Sequence, residues 1–130
     1  MKKFIFGALT LLALAPLQGQ NLKTIKNDIQ TSIDAKKESL TTISDGIWEA
    51  AETSLEEFTS SQLLKDYARE NGFEVKENVA DIPTAFMAKY GSGKPVIGIL
   101  GEFDADAGIS QKRIPKKEAR VPGGAGHGCG

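Results

Sequence analysis

Apolar residues recur at helical spacing through the region from Leu22 to Ala51. The stripe consists of Leu22, Ile25, Ile29, Ile33, Leu40, Ile43, Ile47 and Ala51. Residues three and four apart share one side of a helix, so the pattern predicts an amphipathic helix. Gly46 weakens the prediction of an uninterrupted helix, since glycine costs about 1 kcal/mol relative to alanine in a helix interior.

A second helix is predicted to begin at Ser54. The Ser54 hydroxyl is placed to cap it, and Glu57, three residues later, is placed to reach back as in a capping box. Asn71-Gly72 predicts the left-handed backbone that ends many helices. The predicted buried face consists of Phe58, Leu64, Tyr67 and Ala68.

Three strand candidates follow the helices. Residues 73–79 alternate weakly, and residues 84–90 alternate well, with Phe86, Ala88 and Tyr90 on one face. Val96 to Leu100 is an unbroken apolar run, which is typical of a strand buried on both faces. The stretch 91–95 predicts a hairpin turn between the last two strands. Helices followed by strands predict part of a layered α/β domain.

The first 20 residues have the pattern of a secretory signal. Lys2 and Lys3 precede an apolar run of about 14 residues, from Phe4 to Leu17. A membrane-spanning helix needs about 20 apolar residues, so we expect cleavage near Gly19 or Gln20 rather than a stable membrane anchor. The mature chain, from residue 21 onward, is then secreted or periplasmic. An uncleaved anchor is the alternative.

Composition narrows the classes of function. The net charge of −1 argues against a nucleic-acid-binding protein, and the basic stretch from Gln111 to Arg120 is predicted to be a solvated loop. Gly-Ser-Gly-Lys at 91–94 is not a phosphate-binding loop, because Pro95 stands where that motif needs serine or threonine. The single cysteine, Cys129, excludes an intramolecular disulfide.

Two stretches contain candidate chemistry. Glu102 and Asp104 follow the apolar run and share a face if the strand continues, which suits a metal site; solvated loop carboxylates are the alternative. His127 and Cys129, the only histidine and cysteine, lie in a glycine-rich run from Gly123. Both are good zinc ligands, but a catalytic zinc needs at least three protein ligands. A Cys–His catalytic pair and an inert glycine-rich tail remain alternatives.

Residues 40–130 together resemble the aminoacylase/carboxypeptidase family of metallohydrolases, in the branch of p-aminobenzoyl-glutamate hydrolases and related amidohydrolases. The likeness lies in the helix at 43–52, the segment 82–86, the strand and its extension at 95–105, and residues 127–130. The last segment resembles the start of the family's H-x-C-G-H motif.

The resemblance implies a partial three-layer α/β/α zinc-peptidase-like catalytic domain with two N-terminal helices, a β-hairpin and the start of the central sheet. It implies an enzyme that uses two zinc or manganese ions to hydrolyse N-acyl amino acids, aminobenzoyl-glutamate or small peptides. Cys129 matches a metal ligand, and Asp104 matches a carboxylate that orients a ligand. His127 matches a histidine that is not a usual ligand, and Glu102 is a weaker metal candidate. The full-length family members can form homodimers.

This chain departs from the family pattern in two places. Asp106 and Ala107 replace an apolar residue and a proline, and the sequence ends at Gly130, before the second motif histidine and the glutamate base. We therefore expect residues 21–130 to be the N-terminal part of the catalytic domain and to be inactive alone. The alternatives are a small exported, non-enzymatic helix–hairpin binding module, an inactive remnant, or a lone Cys–His peptidase.

Overall fold

The helical stripe from Leu22 to Ala51 folds as two helices in the computed structural model, which describes residues 21–128. Helix α1 is Leu22–Ala35 and helix α2 is Lys37–Ala50. Lys36, with φ of −100° and ψ of 0°, leaves the helical region and separates them. The prediction of one continuous helix was wrong, and the break lies at Lys36 rather than at Gly46.

The break also divides the chain into two units. The first unit ends at Ala35, and its described part is essentially α1, which contains no buried residue. The second unit starts at Lys36 and contains α2, helix α3 (Phe58–Glu70), strand β1 (Glu74–Glu77), a 3-10 turn (Val79–Asp81) and strand β2 (Phe86–Lys89). Three helices followed by a two-stranded antiparallel sheet form part of an α/β domain, as predicted.

Gly46 allows α2 and α3 to approach each other closely. A Cβ atom at this position would lie 2.9 Å from Leu63 Cδ1 of α3, inside ordinary contact distance. The glycine that weakened the helix prediction therefore serves the packing of the two helices.

Helix α3 begins later than predicted and is capped by a different residue. Glu52 accepts hydrogen bonds from the backbone N–H groups of Thr59 and Ser60, each at 2.8 Å. The Ser54 hydroxyl instead donates to Asp104, so the predicted capping box does not form. A carboxylate suits this position because it accepts two N–H groups and faces the positive end of the helix dipole.

This cap predicts a pH dependence of stability. Partial burial opposes ionisation of Glu52, but the N–H groups of Ser60 and Thr59 outweigh it and lower the pKa of the carboxyl. Because the folded-state pKa lies below the unfolded value, the stabilisation is present above about pH 4.3 and is lost as the pH falls through the folded pKa. We expect Glu52→Gln to lower the free energy of unfolding at pH 7 by about 1 kcal/mol, and by less at pH 3.

Urea unfolding at both pH values measures this effect. Glu56→Gln is the matched control, since Glu56 is exposed and its carboxylate has no hydrogen bond within residues 21–128. An equal loss in both variants, or a loss from Glu52→Gln that does not change with pH, would refute the role of Glu52 as a charged cap.

The buried side of α3 is largely polar. Ser60, Ser61 and Lys65 are buried, whereas Phe58 is 56% exposed and the other predicted core residues are half-buried. Lys65 Nζ donates to Glu77 Oε2 of β1 at 2.7 Å, and Thr84 Oγ1 donates to Glu57 Oε2 at 2.6 Å. The assignment of Phe58 to the buried face was wrong, because Ser60, Ser61 and Lys65 occupy that side of the helix. Ser61 and Lys65 are hydrogen-bonded, whereas Ser60 Oγ has no partner within residues 21–128.

The two strands pair in a different combination from the predicted one. β1 and β2 are antiparallel, with Val75 opposite Ala88 and Glu77 opposite Phe86. Phe86 and Ala88 lie on the more buried face, as predicted, but Tyr90 is 71% exposed. The positive φ of Gly72, +82°, provides the predicted left-handed exit from α3 into β1.

Val96–Leu100 does not form the predicted buried strand. The segment is in no strand, and its apolar side chains are at least 82% exposed. A strand buried on both faces requires neighbouring strands and covering layers, which residues 21–128 do not provide for this segment. The predicted hairpin between residues 84–90 and 96–100 was therefore wrong for this chain.

The predicted secretory signal, residues 1–20, lies outside the described residues. Within residues 21–128, each helix is too short or too polar to cross a bilayer.

Candidate functional site

Asp104 and His127 lie on neighbouring segments of one small backbone arrangement. Ala105 pairs with Thr53 in a parallel bridge, and Asp106 pairs with Gly126 in an antiparallel bridge. The Asp106–Gly126 pair exchanges two hydrogen bonds, at 3.1 and 3.0 Å. The Ala105 N–H donates to the Glu52 carbonyl at 2.7 Å. The backbone therefore joins three segments at this point: the one after α2, the one after the apolar run, and the glycine-rich run.

Ala105, at the centre of the arrangement, is 3% exposed and is the one buried apolar residue within residues 21–128. The ring of Phe103 lies 6.1 Å from that of Phe86, measured between centroids, and ties the segment to β2. These contacts fix the position of the residues on either side of Ala105.

Asp104 is anchored by Ser54. The Ser54 hydroxyl donates to Asp104 Oδ2 at 2.5 Å, and the Asp104 side chain is half-buried. A hydrogen bond to an ionised carboxylate is among the stronger ones in proteins and restricts its orientation. Glu102 is exposed, so the two predicted carboxylates occupy different environments. The sequence did not predict that Ser54 would bind Asp104, because the spacing between Ser54 and Glu57 indicated a helix cap.

His127 is half-buried, and its Nε2 atom is buried without a hydrogen-bond partner in the part of the chain that the structure describes. A buried polar nitrogen of this kind is costly unless something pairs with it. Cys129, the predicted metal ligand, lies outside the described residues. Within residues 21–128, no three side chains of histidine, cysteine, aspartate or glutamate gather as a metal site.

Close backbone packing requires glycine on both sides of His127. A Cβ atom at Gly126 would lie 2.7 Å from Ser110 Cα, and one at Gly128 would lie 2.8 Å from the Ile109 carbonyl oxygen. Both contacts are with backbone, which cannot move aside as a side-chain end can. The run therefore packs its backbone directly against residues 109–110, and His127 is held between two such contacts.

The basic loop lies against α2 through Trp48. The guanidinium carbons of Arg113 and Arg120 lie 4.4 and 5.0 Å from the centroid of its ring, within the range of cation–π attraction. Arg113 also forms a 2.9 Å ion pair with Asp45. Glu118 pairs with Lys112 and Lys116, and both cations lower the pKa of its carboxyl. The loop is irregular and largely exposed, as predicted. Glu118 and Asp45 pair with three of its five cations.

A groove of about 290 Å³ lies between the end of α2 and the glycine-rich run. Trp48, Arg120 and Gly126 are among its lining residues. The sequence did not predict this groove, because Trp48 is next to the apolar stripe of the helix and is not part of it.

Comparison with known proteins gives one informative likeness. No family model matches the chain, and no solved structure matches it. The chain is 44% identical over 110 residues to one of the subunits of the p-aminobenzoyl-glutamate hydrolase of Escherichia coli (strain K12). The match covers 84% of this chain and 23% of that protein, so the chain spans about a quarter of the relative's length. Identity at this level over most of the chain supports the p-aminobenzoyl-glutamate hydrolase-like branch that the motifs at residues 95–105 and 127–130 indicated, and the chain corresponds to a fragment of such a protein.

Proposed function

We propose that the protein is an exported, metal-dependent amidohydrolase and that residues 21–130 contribute the N-terminal part of its catalytic domain. The observation that carries this proposal is the 44% identity, over 84% of the chain, to part of a p-aminobenzoyl-glutamate hydrolase. The substrates would be N-acyl amino acids, aminobenzoyl-glutamate or small peptides. Because the relative is named as one of the subunits of its enzyme, an assembly of several chains is favoured, of which a homodimer is the simplest.

The geometry around Ala105 supports a catalytic role for this region. Backbone hydrogen bonds hold the segment that contains Asp104 beside the run that contains His127. A carboxylate next to a histidine–cysteine run is the arrangement in which an acidic side chain orients a metal ligand. Ser54 would keep Asp104 in the required orientation.

In the proposed enzyme, this region would contribute residues to a metal site. Cys129 would bind it, Asp104 would orient a ligand, and the buried, unpartnered Nε2 of His127 marks a place that suits a polar or charged neighbour. Glu102, which is exposed, is a weaker candidate. When bound, zinc or manganese would polarise the amide carbonyl and lower the pKa of a bound water.

Export is the part of the proposal that rests on residues 1–20. Sequencing of the mature N-terminus is the direct measurement, and a chain that begins near Asn21 in the exported fraction would support it. A full-length N-terminus retained in the cytoplasm would refute it.

The activity is tested by comparing two polypeptides. We expect the product of the complete reading frame to hydrolyse p-aminobenzoyl-glutamate or an N-acyl amino acid, with the activity abolished by a chelator and restored by Zn²⁺ or Mn²⁺. The 130-residue chain alone should be inactive, because it supplies too few ligands for two ions.

Two results would contradict this proposal. One is chelator-sensitive hydrolysis by the 130-residue chain that is lost on Cys129→Ser, since the chain would then be a complete enzyme. The other is a stop codon directly after codon 130, since the chain would then be a small module or a remnant. Activity blocked by alkylation but not by chelation would favour a cysteine peptidase instead.

A further inference from the structure

The connection between α2 and α3 holds the segment that contains Asp104 at successive positions. The Glu52 carbonyl accepts a hydrogen bond of 2.7 Å from the Ala105 N–H, and Thr53 pairs with Ala105 in a parallel bridge. The Ser54 hydroxyl then donates to Asp104 Oδ2 across 50 positions of the chain. Each of these contacts joins two described residues, so this part of the chain supplies both partners.

Ser54 lies in a tight turn. The Glu56 N–H donates to the Thr53 carbonyl at 3.0 Å, which closes a β-turn with Ser54 in its second position. The third position is Leu55, whose φ of +70° is a left-handed conformation that residues other than glycine seldom adopt. Backbone strain of this kind persists where the surrounding structure imposes it, and it is frequent at functional sites. The turn therefore points to a function for the side chain that it presents.

The two carboxylate oxygens of Asp104 have different surroundings. Oδ2 accepts the Ser54 hydroxyl, whereas Oδ1 has no hydrogen bond within residues 21–128. The last torsion of an aspartate side chain is broad, so a carboxylate that is not held turns freely about its Cβ–Cγ bond. The hydrogen bond from Ser54 restricts this rotation and thereby sets the direction of the other oxygen.

We propose that Ser54 is a positioning residue of the amidohydrolase, and that its hydroxyl holds Asp104 Oδ2 so that Oδ1 is directed at a metal ligand. Asp104 is then the group that orients the ligand, and Ser54 acts through Asp104 alone. The inference deepens the proposed function and rests on it, because an oriented ligand is useful only in a metal-dependent enzyme.

Substitutions of nearly equal shape separate the hydroxyl from the rest of the side chain. In the product of the complete reading frame, we expect Ser54→Val to lower kcat/KM by about 10-fold, the lower end of the range for loss of a group that supports a metal ligand. The affinity of the metal-free enzyme for Zn²⁺ should fall by about the same factor. Ser54→Thr keeps the donor and should retain both quantities within about 3-fold. Ser54 is exposed, which leaves room for the added methyl groups.

The measurements are hydrolysis of p-aminobenzoyl-glutamate and competition for Zn²⁺ with a chelator of known affinity. Ser54→Ala removes the hydroxyl without adding volume and should match Ser54→Val. Urea unfolding of the metal-free variants shows whether each one is folded, and a variant that unfolds early is set aside in favour of the other.

Thr42→Val is the matched control. The exposed Thr42 hydroxyl donates a hydrogen bond of 2.9 Å to the Glu38 carbonyl within α2. The control therefore loses a hydroxyl and its hydrogen bond at a place that shares no partner with Asp104. We expect it to keep kcat/KM and zinc affinity within about 2-fold, since sites without shared partners behave independently.

A double-mutant cycle tests whether Ser54 acts through Asp104. In an Asp104→Ala background the hydroxyl has no carboxylate to hold, so adding Ser54→Val should lower zinc affinity and kcat/KM by less than about 2-fold. A contribution of Ser54 that does not pass through Asp104 would instead appear in full in both backgrounds.

Three results would overturn the inference and leave the proposed function intact. These are equal zinc affinity and kcat/KM for Ser54→Thr and Ser54→Val, a loss in Ser54→Val that the Asp104→Ala background does not reduce, or a lower unfolding midpoint with unchanged zinc affinity in both variants that lack the hydroxyl. An unsubstituted enzyme that neither binds Zn²⁺ nor hydrolyses p-aminobenzoyl-glutamate would refute the proposed function, and the inference would fail with it.

Discussion

The substitution Gly126→Ala is expected to lower the free energy of unfolding of the unit that starts at Lys36 by about 1–3 kcal/mol, the usual cost of forcing extra volume into a close-packed site. A Cβ atom at this position would lie 2.7 Å from Ser110 Cα and 3.0 Å from the Ile109 carbonyl oxygen. These are backbone atoms, so relief requires movement of the chain. Any movement of Gly126 also strains its two hydrogen bonds to Asp106.

The only tryptophan gives a direct measurement of this effect. Trp48 lines the groove of which Gly126 forms part, so its fluorescence reports on the region that the substitution disturbs. Urea unfolding followed by Trp48 emission should show a lower midpoint for Gly126→Ala. Gly101→Ala is the matched control, because a Cβ atom there meets no other atom within 4 Å. Equal midpoints for the two variants would show that residues 109–110 adjust to the added methyl group.

Local patterns in the sequence predicted the helical regions and both strands, β1 within residues 73–79 and β2 within residues 84–90. The step of three and four residues from Leu22 to Ala51 predicted the helical conformation of this region, because helical periodicity is a property of consecutive residues, but it did not predict the break at Lys36 between α1 and α2. Alternation predicted β2, and Asn71-Gly72 predicted the end of α3. In each case, the determining contacts lie within a few residues along the chain.

The errors arose where distant residues decide the outcome. Ser54 was predicted to be a cap, but a partner 50 residues away, Asp104, takes its hydroxyl. Glu52, which precedes Ser54, supplies the cap instead. Phe58 was placed in the core, but the buried side of α3 is held by ion pairs and hydrogen bonds to β1 and to Thr84. An amphipathic pattern alone does not predict that polar side chains will occupy the buried side of a helix, because their partners are distant in sequence.

The site residues stay a prediction. Residue types and the resemblance pointed to Asp104, His127 and Cys129, and the structure places the segments that contain the first two side by side. Neither Ser54 nor Trp48 was predicted, because each acquires its role only when the loops at 104–106 and 111–120 pack on the helical part of the unit. Thr53 pairs with Ala105, which is distant in sequence. A contact of this kind cannot be predicted from the pattern of neighbouring residues.

Loss of the Asp104 charge is expected to have a large effect on activity. In the proposed amidohydrolase, Asp104→Asn should lower kcat/KM by about 10–100-fold, the range seen when a carboxylate that orients a metal ligand is removed. The asparagine oxygen can still accept the hydrogen bond from the Ser54 hydroxyl, so the local structure should be retained. The loss would then come from the missing charge rather than from a disturbed fold.

Asp106→Asn provides the control for this prediction. Asp106 lies two residues further along the same segment, its side chain is exposed, and its pairing with Gly126 uses backbone atoms alone. We expect the control to retain kcat/KM within about 2-fold, because no charge beside the predicted metal ligand is lost. Metal affinity should fall for Asp104→Asn and stay unchanged for Asp106→Asn, a distinction that a purely structural role would not produce. If the Asp104→Asn variant keeps both its metal affinity and its kcat/KM, Asp104 does not orient a ligand. The hydrogen bond from Ser54 to Asp104 then has a structural role alone, which is to join the segment after α2 to the segment after the apolar run.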